Sequence, residues 1–322
     1  MSRTTFLTGA LGCIGAWVVK ALLERGDVPV VFDLGGDPRR IRDLVGDAGL
    51  ERVRFVAGDI TDLGALTRAV IDSRAEALIH LAGLQVPFCR ADPALGARVN
   101  VLGTIHVFEA ALAAGLERVV YASSAAVLGP SEDDLAVGED ALCEPVTHYG
   151  VYKRANEGTA RVYWLEKKLA SVGLRPLTVY GVGRDQGLTS GPTSAIKAAV
   201  LGRPFHVGFS GPTDFHHAAD TAAAFLAAAE RAPEGAHVYH LHGDTLDVTE
   251  FLALVEAEVP SARGTLTSGG PRIPIPPRLD GSAIHAALPG LPHTPLAEGV
   301  HATAERFRAL HATGRLDLRD LQ

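Results

Sequence analysis

The sequence predicts an α/β fold: a doubly wound parallel sheet with a smaller C-terminal lobe. Three observations carry this. Short apolar strands alternate with helical stretches up to about residue 180, and the first strand runs into a glycine loop. Residues with chemistry to offer then recur just beyond the strand ends, where parallel sheets bind their ligands. With 322 residues, 47% of them hydrophobic, the chain can bury a sizeable core as one large domain or two unequal ones.

Thr4–Thr8 is a short apolar run that stops at Gly9-Ala10-Leu11-Gly12-Cys13-Ile14-Gly15. An amphipathic helix follows, with Trp17, Val18, Ala21 and Leu22 on its apolar face, and then the strand Val28–Asp33, which ends in an acid. Strand, glycine loop, helix, strand and acid together read as a dinucleotide-binding, Rossmann-type βαβ unit. The glycines let backbone approach a pyrophosphate at the positive end of the helix. Asp33 stands where a carboxylate meets the adenosine ribose hydroxyls.

The alternation continues through the strand 53–57, Gly58-Asp59-Ile60, a helix at about 63–71, and the strand 77–82. A long helix at about 93–114 carries Asn100. The strand 118–122 runs into Ser123-Ser124, a helix starts near Tyr149, and a strand is expected at 174–179. Gly9, Asp33, Asp59, Ala82, Ser124 and Tyr180 all fall at carboxyl ends of strands. Beyond Tyr180 the pattern loosens into a glycine-rich loop with Arg184 and Asp185, short apolar segments, the run Asp214–Asp220 opening an alanine-rich helix, and ordered coil from Pro260 to Pro295. Residues 1–180 with about 211–242 are expected to form the dinucleotide-binding domain. About 181–210 and 243–322 would form the substrate lobe.

Charge and cysteine content narrow the partners. The net charge is −7 and no basic run appears, so neither nucleic acid nor an acidic membrane is an expected partner. Three cysteines, Cys13, Cys89 and Cys143, are odd in number and too far apart for a metal knuckle, which fits a reducing cytoplasm. No apolar run reaches about 18 residues, so no membrane span is expected. No metal site is expected either: His80, His216 and His217 lack partners at ligand spacing.

Tyr149 and Lys153 stand one helical turn apart, behind the start signals Pro145 and Thr147. A phenol of pKa about 10 is a poor base at neutral pH. A nearby ammonium favours the phenolate by about 1–3 units, and an oxidised nicotinamide ring would favour it further. Alone, this spacing also fits a solvated surface pair.

With these motifs assembled, the sequence resembles the extended short-chain dehydrogenase/reductases, in particular the NAD-dependent epimerase/dehydratase family. The resemblance rests on Thr8-Gly9-x-x-Gly12-x-x-Gly15, Gly58-Asp59-Ile60, His80-Leu81-Ala82, Asn100-x-x-Gly103-Thr104 and Ser123 to Gly129. It continues through Tyr149-x-x-x-Lys153, Tyr180-Gly181 and Asp214-Phe215. It implies NAD as cofactor, with Ser124 bonding the reacting oxygen, Tyr149 as acid/base and Lys153 on the nicotinamide ribose. It further implies that Gly9, Gly12, Cys13, Ile14, Gly15 and Asp33 meet the dinucleotide, that Asp59 and Ile60 line the adenine, and that Leu81 and Ala82 lie along the cofactor. Asn100 is either a cofactor contact or a satisfied helix residue. Related enzymes pair the helices at about 93–114 and 149–170 across a four-helix interface. Val107, Ala111, Val162 and Trp164 exceed what one sheet contact needs, so a homodimer is expected.

Departures from the pattern shape the substrate. Dehydratases carry Asp-Glu where Ser124-Ala125 stands, which disfavours elimination of water. Sugar-nucleotide members usually carry Asn at Thr178 and Arg at Thr213, both for the nucleotide. A small free sugar, sugar acid or polyol is therefore expected. Arg184 could clamp a carboxylate or simply pair with Asp185. The expected activity is NAD-dependent epimerisation through a transient ketone. The alternatives are a dehydrogenase releasing NADH and a non-catalytic dinucleotide sensor, which would have no need of Ser124, Tyr149 and Lys153 together.

Overall fold

The computed structural model describes residues 2–131 and 135–321. Its first half runs β1 (Thr4–Thr8), α1 (Cys13–Glu24), β2 (Val28–Asp33), α2 (Arg39–Leu50), β3 (Arg54–Ala57), α3 (Leu63–Ser73) and β4 (Ala77–His80). Short helices α4 (Val86–Ala91) and α5 (Pro93–Ala97) lead to α6 (Gly103–Ala113), β5 (Arg118–Ala122) and α7 (His148–Lys167). The second half runs β6 (Ala170–Arg175), β7 (Thr178–Tyr180), α8 (Gly191–Val200), β8 (Phe205–Val207), β9 (Pro212–His217), α9 (Ala218–Arg231) and β10 (Ala236–His240). It closes with β11 (Asp244–Asp247), α10 (Val248–Glu258), β12 (Leu266–Ser268), α11 (Ser282–Ala287) and α12 (Leu296–Ala312).

The expected parallel sheet is present, with seven strands in the order β10-β6-β5-β4-β1-β2-β3. Its two faces follow from the period of two along each strand. Phe6, Val30, Leu78, Val119 and Tyr121 point toward α3 and α6. Their neighbours Leu7, Val31, Ile79 and Val120 point the other way, toward α1 and α9. Both faces are thus apolar, as a doubly covered parallel sheet requires. The strand order reverses at β1, which is flanked by β2 and β4, so a crevice opens beyond their carboxyl ends.

The C-terminal part has its own core. Phe215 of β9 stacks on Phe251 of α10 at 4.5 Å between ring centres, with Tyr180, Val300 and Phe307 around them. Strand β9 pairs with β7 in parallel and with β11 antiparallel, forming a small second sheet.

Several details differ from the sequence expectation. The single strand expected at 174–179 is two strands in different sheets, because Pro176 offers no N–H to a ladder; its carbonyl accepts Ala125 N instead. The long helix expected at 93–114 is broken by a wide turn at Arg98–Leu102 that contains Asn100. Helix α2 lies where no helix was expected: its five charged residues Arg39, Arg40, Arg42, Asp43 and Asp47 and the left-handed Gly46 mask its apolar stripe. The coil expected from Pro260 to Pro295 contains β12 and α11. Val107 and Ala111 are fully buried against the sheet and are not part of any outer face. Among the described residues no helix is long and apolar enough to cross a membrane.

Candidate active site

The cofactor side of the crevice is shaped by missing side chains. At Gly9, whose φ is +70°, a Cβ would lie 2.3 Å from the Ala82 nitrogen; at Gly15 it would lie 2.4 Å from the Ala10 Cα. Gly12 precedes α1 in an extended conformation with no side-chain cap. The first amides of α1, at Cys13 and Ile14, therefore face the crevice without intrahelical acceptors. This bare, positive helix end beside close backbone is what a dinucleotide pyrophosphate requires. The residues present fit NAD.

Asp33 ends β2 at the loop, accepting hydrogen bonds from Leu11 N (3.2 Å) and Leu34 N (2.9 Å). Burial pushes its pKa up and those two amides pull it down. Arg39 and Arg40, close enough in sequence to meet a 2′-phosphate, are committed elsewhere. Arg40 donates to Leu11 O (2.8 Å) and Asp185 (2.6 Å), and Arg39 donates to Asp185 (2.8 Å).

Further round the crevice, the Asp59 carboxylate caps its own turn by accepting Thr61 N at 2.8 Å. Ile60 is buried against Gly103. Leu81 N donates to Thr8 O at 2.9 Å, which carries the Leu81-Ala82 backbone past Gly9. Asn100 is buried and fully engaged: it accepts from Leu84 N (2.7 Å) and donates to Leu84 O (2.8 Å). The side chain acts as a bracket for the turn at Gly83–Gln85. His80 is a core residue between Thr8 and Thr104, its pKa lowered by burial to about 3. His216 and His217 are buried in β9. Among the described residues no group of His, Cys, Asp and Glu is arranged to hold a metal.

The catalytic candidates meet where α7 begins. Thr147 caps the helix by accepting Gly150 N at 3.0 Å. A Cβ at Gly150 would lie 2.3 Å from Ala126 O, so the glycine lets α7 press on the turn after Ser124. That contact sets Ser124 close to the Tyr149 phenol, where its hydroxyl favours the phenolate. Lys153 is buried, donates to Ala122 O at 2.7 Å and sits 5.6 Å from the Tyr149 ring centre. Burial lowers its pKa to about 8, so it stays charged at neutral pH. Burial also raises the Tyr149 pKa, against the Ser124 hydrogen bond and the Arg184 charge. The Arg184 charge thus favours the phenolate as well.

Arg184 does not pair with Asp185. That carboxylate is taken by Arg39 and Arg40, and Arg184 donates instead to Thr189 Oγ1 at 2.9 Å. Sequence reading also missed Glu157, one turn beyond Lys153 on the same face of α7. It accepts hydrogen bonds from Ser123 (2.6 Å) and Arg175 (2.7 Å) in the buried interior. The i+4 spacing from Lys153 was its one signal.

A parallel sheet with a glycine cradle and a Ser-Tyr-Lys set defines an extended short-chain dehydrogenase/reductase. Residues 5–241 match the NAD dependent epimerase/dehydratase family, and the chain belongs to it; it is an NAD-dependent enzyme. It is 29% identical over 319 residues to a UDP-glucose 4-epimerase of Mycolicibacterium smegmatis, covering 94% of this chain and 98% of the relative. It is 35% identical over 159 residues to D-erythronate dehydrogenase of Cupriavidus necator, covering 47% of each. The solved UDP-glucose 4-epimerase of Thermus thermophilus in complex with NAD superimposes with a TM-score of 0.81 at 25% identity, covering 95% of this chain and 99% of that one.

Two outcomes are expected at this site. Asp33 should repel a 2′-phosphate, so turnover should favour NAD over NADP, and Asp33→Ser should narrow the gap. Equal or better wild-type turnover with NADP would contradict this role. Tyr149→Phe should lower kcat by on the order of 10²–10⁴ with NAD affinity nearly kept, whereas Lys153→Ala should weaken both. Steady-state kinetics with calorimetric NAD binding measures both, and near-normal turnover in Tyr149→Phe would remove tyrosine as the acid/base.

Proposed function

We propose that the enzyme epimerises a secondary carbinol centre of a small free sugar, sugar acid or polyol through a transient ketone. The observation that supports a small substrate is the contact between Thr178 and Thr213. These are the positions where sugar-nucleotide members usually carry Asn and Arg. Here the two hydroxyls lie 2.7 Å apart and both residues are 0% exposed. Each hydroxyl satisfies the other in the interior, leaving neither amide nor guanidinium for a nucleotide.

The residue roles follow from the geometry. Ser124 would hold the substrate oxygen against Tyr149, and Tyr149 as phenolate would take the hydroxyl proton and later return it. Lys153, fixed by Ala122 O, would keep a positive charge under the ring. NAD, when bound, supplies a hydride acceptor that can give the hydride back to either face of the ketone. Asp33 and the amides at Cys13 and Ile14 would hold the dinucleotide. Asn100 would act through the Gly83–Gln85 turn.

A second reading is favoured by the relative named for D-erythronate oxidation: net dehydrogenation of a small hydroxy acid with release of NADH. The same residues serve both. In heavy water an epimerase should give product free of deuterium at the inverted carbon, with no rise in NADH absorbance. Steady NADH accumulation with every active substrate would replace the epimerase by the dehydrogenase. UDP-glucose turned over in preference to free sugars and sugar acids would instead overturn the small substrate.

We also infer a homodimer built on α5, α6 and α7. Leu95 and Leu102 beside α6, and Val151, Val162 and Leu165 on α7, are exposed large apolar side chains on neighbouring elements. Light scattering at micromolar protein should give twice the chain mass, and Leu165→Glu should shift it toward the monomer. A wild-type monomer mass would refute the pairing.

A further inference from the structure

We infer that Arg184 and Gln85 form a subsite for an α-hydroxy carboxylate beside Tyr149, so that the substrate is a sugar acid; this rests on the small-substrate reading above. The case begins with how firmly Arg184 is delivered. It rides on the Gly181–Ser190 segment, which is bolted to the cofactor half at two points. Trp17 Nε1 donates to Val182 O at 2.9 Å, and Asp185 is gripped by Arg39 and by Arg40, which also holds Leu11 O. The segment's place therefore does not depend on what Arg184 binds.

The same clasp removes the one carboxylate adjacent to Arg184 in the chain. Its guanidinium is left with one neutral partner, Thr189 Oγ1, while its Nε is buried without an acceptor. A guanidinium whose Nε is withdrawn from water without an acceptor calls for an anion with paired oxygens. Its neighbour is also unsatisfied: Gln85 Oε1 is buried with no donor. The two groups converge on Gly187, where φ is +99° and a Cβ would lie 2.4 Å from Gln85 Oε1 and 3.2 Å from Arg184 Nη2. A donor fork and a lone acceptor that meet at one point match a carboxylate with a hydroxyl on the next carbon.

The direction of the pocket selects the substrate over the cofactor. Arg184 lies two residues beyond Val182, whose carbonyl accepts Cys13 Sγ at 3.8 Å, and its charge acts on the Tyr149 phenol; the diphosphate already has the amides at the start of α1. Gln85 follows the turn after β4, two residues beyond Gly83, where a Cβ would lie 3.5 Å from Lys153 Nζ.

Calorimetry on the NAD-loaded enzyme tests this with matched probes: D-erythronate against erythritol, and D-gluconate against D-glucitol. The wild type should bind at least one acid more tightly than its neutral counterpart. Arg184→Gln should erase that preference by on the order of 10²-fold, as expected when one partner of a buried charge contact is lost. Arg184→Lys should recover part of it, and Gln85→Leu should weaken acid binding with a smaller effect. Circular dichroism and NAD binding by each variant establish that the fold and cofactor site persist. If no acid is preferred, or if Arg184→Gln leaves the preference intact, the subsite is refuted. Loss of NAD affinity with acid preference kept would reassign Arg184 to the cofactor diphosphate. Preference for free polyols without Arg184 dependence would sink the subsite alone, whereas binding of UDP-glucose only would sink the small-substrate reading with it.

Discussion

The buried carboxylate of Glu157 is the interaction on which the site geometry depends. It binds Ser123 at the end of β5 and Arg175 at the end of β6, and Arg175 reaches His240 at the end of β10 at 3.0 Å. Three adjacent strand ends are thereby tied to one face of α7. Tyr149 and Lys153 lie on that face, and Ser124 follows Ser123 directly. An unpaired charge at this depth would be costly, so Glu157 and Arg175 require each other. Their pairing holds the Glu157 carboxyl below its usual pKa despite burial. Ser124 thus meets Tyr149 because a buried ion pair fixes the register of the helix against the sheet.

The cofactor half is organised by close approach. Gly9, Gly15, Gly150 and Gly173 each stand where a Cβ would fall within 2.6 Å of a neighbouring atom. At Gly173 that neighbour is the Tyr121 phenol, which fills one core face of the sheet. Absent side chains bring backbone amides to the crevice, and the ion pairs of Asp185 then close the outer side. The 181–190 segment and the glycine loop consequently behave as one wall, joined through Val182, Leu11 and Arg40.

Much of the fold was legible because period-two and helical patterns report burial directly, and a doubly covered sheet shows both. The glycine loop, Asp33, Ser124, Tyr149 and Lys153 were legible as candidates because each occupies a fixed place relative to a strand end or a helical turn. What stayed hidden depends on contacts between distant segments. The Asp185 partners come from α2, about 145 residues upstream, and α2 was itself masked by its charges. Asn100 gave no sign of its bonds to Leu84, 16 residues away in the chain. Arg175 and Glu157 are separated by the last turns of α7, a connecting turn and β6, and their depth follows only once β6 lies between β5 and β10.

Specificity is concentrated at two points with opposite character. At Thr178 and Thr213 a pair of side chains has become self-sufficient, and such a pair presents nothing to a ligand. At Arg184 and Gln85 polar atoms are buried without partners, and such atoms are stabilised only by something that arrives. The Arg184 charge also helps the Tyr149 phenolate. An anion seated there would offset that help, leaving Lys153 and the oxidised nicotinamide as the cations that favour proton removal. A carboxylate substrate would therefore make proton removal more dependent on Lys153 than a neutral one would. The anion site and the acid/base site are coupled through the charge they share.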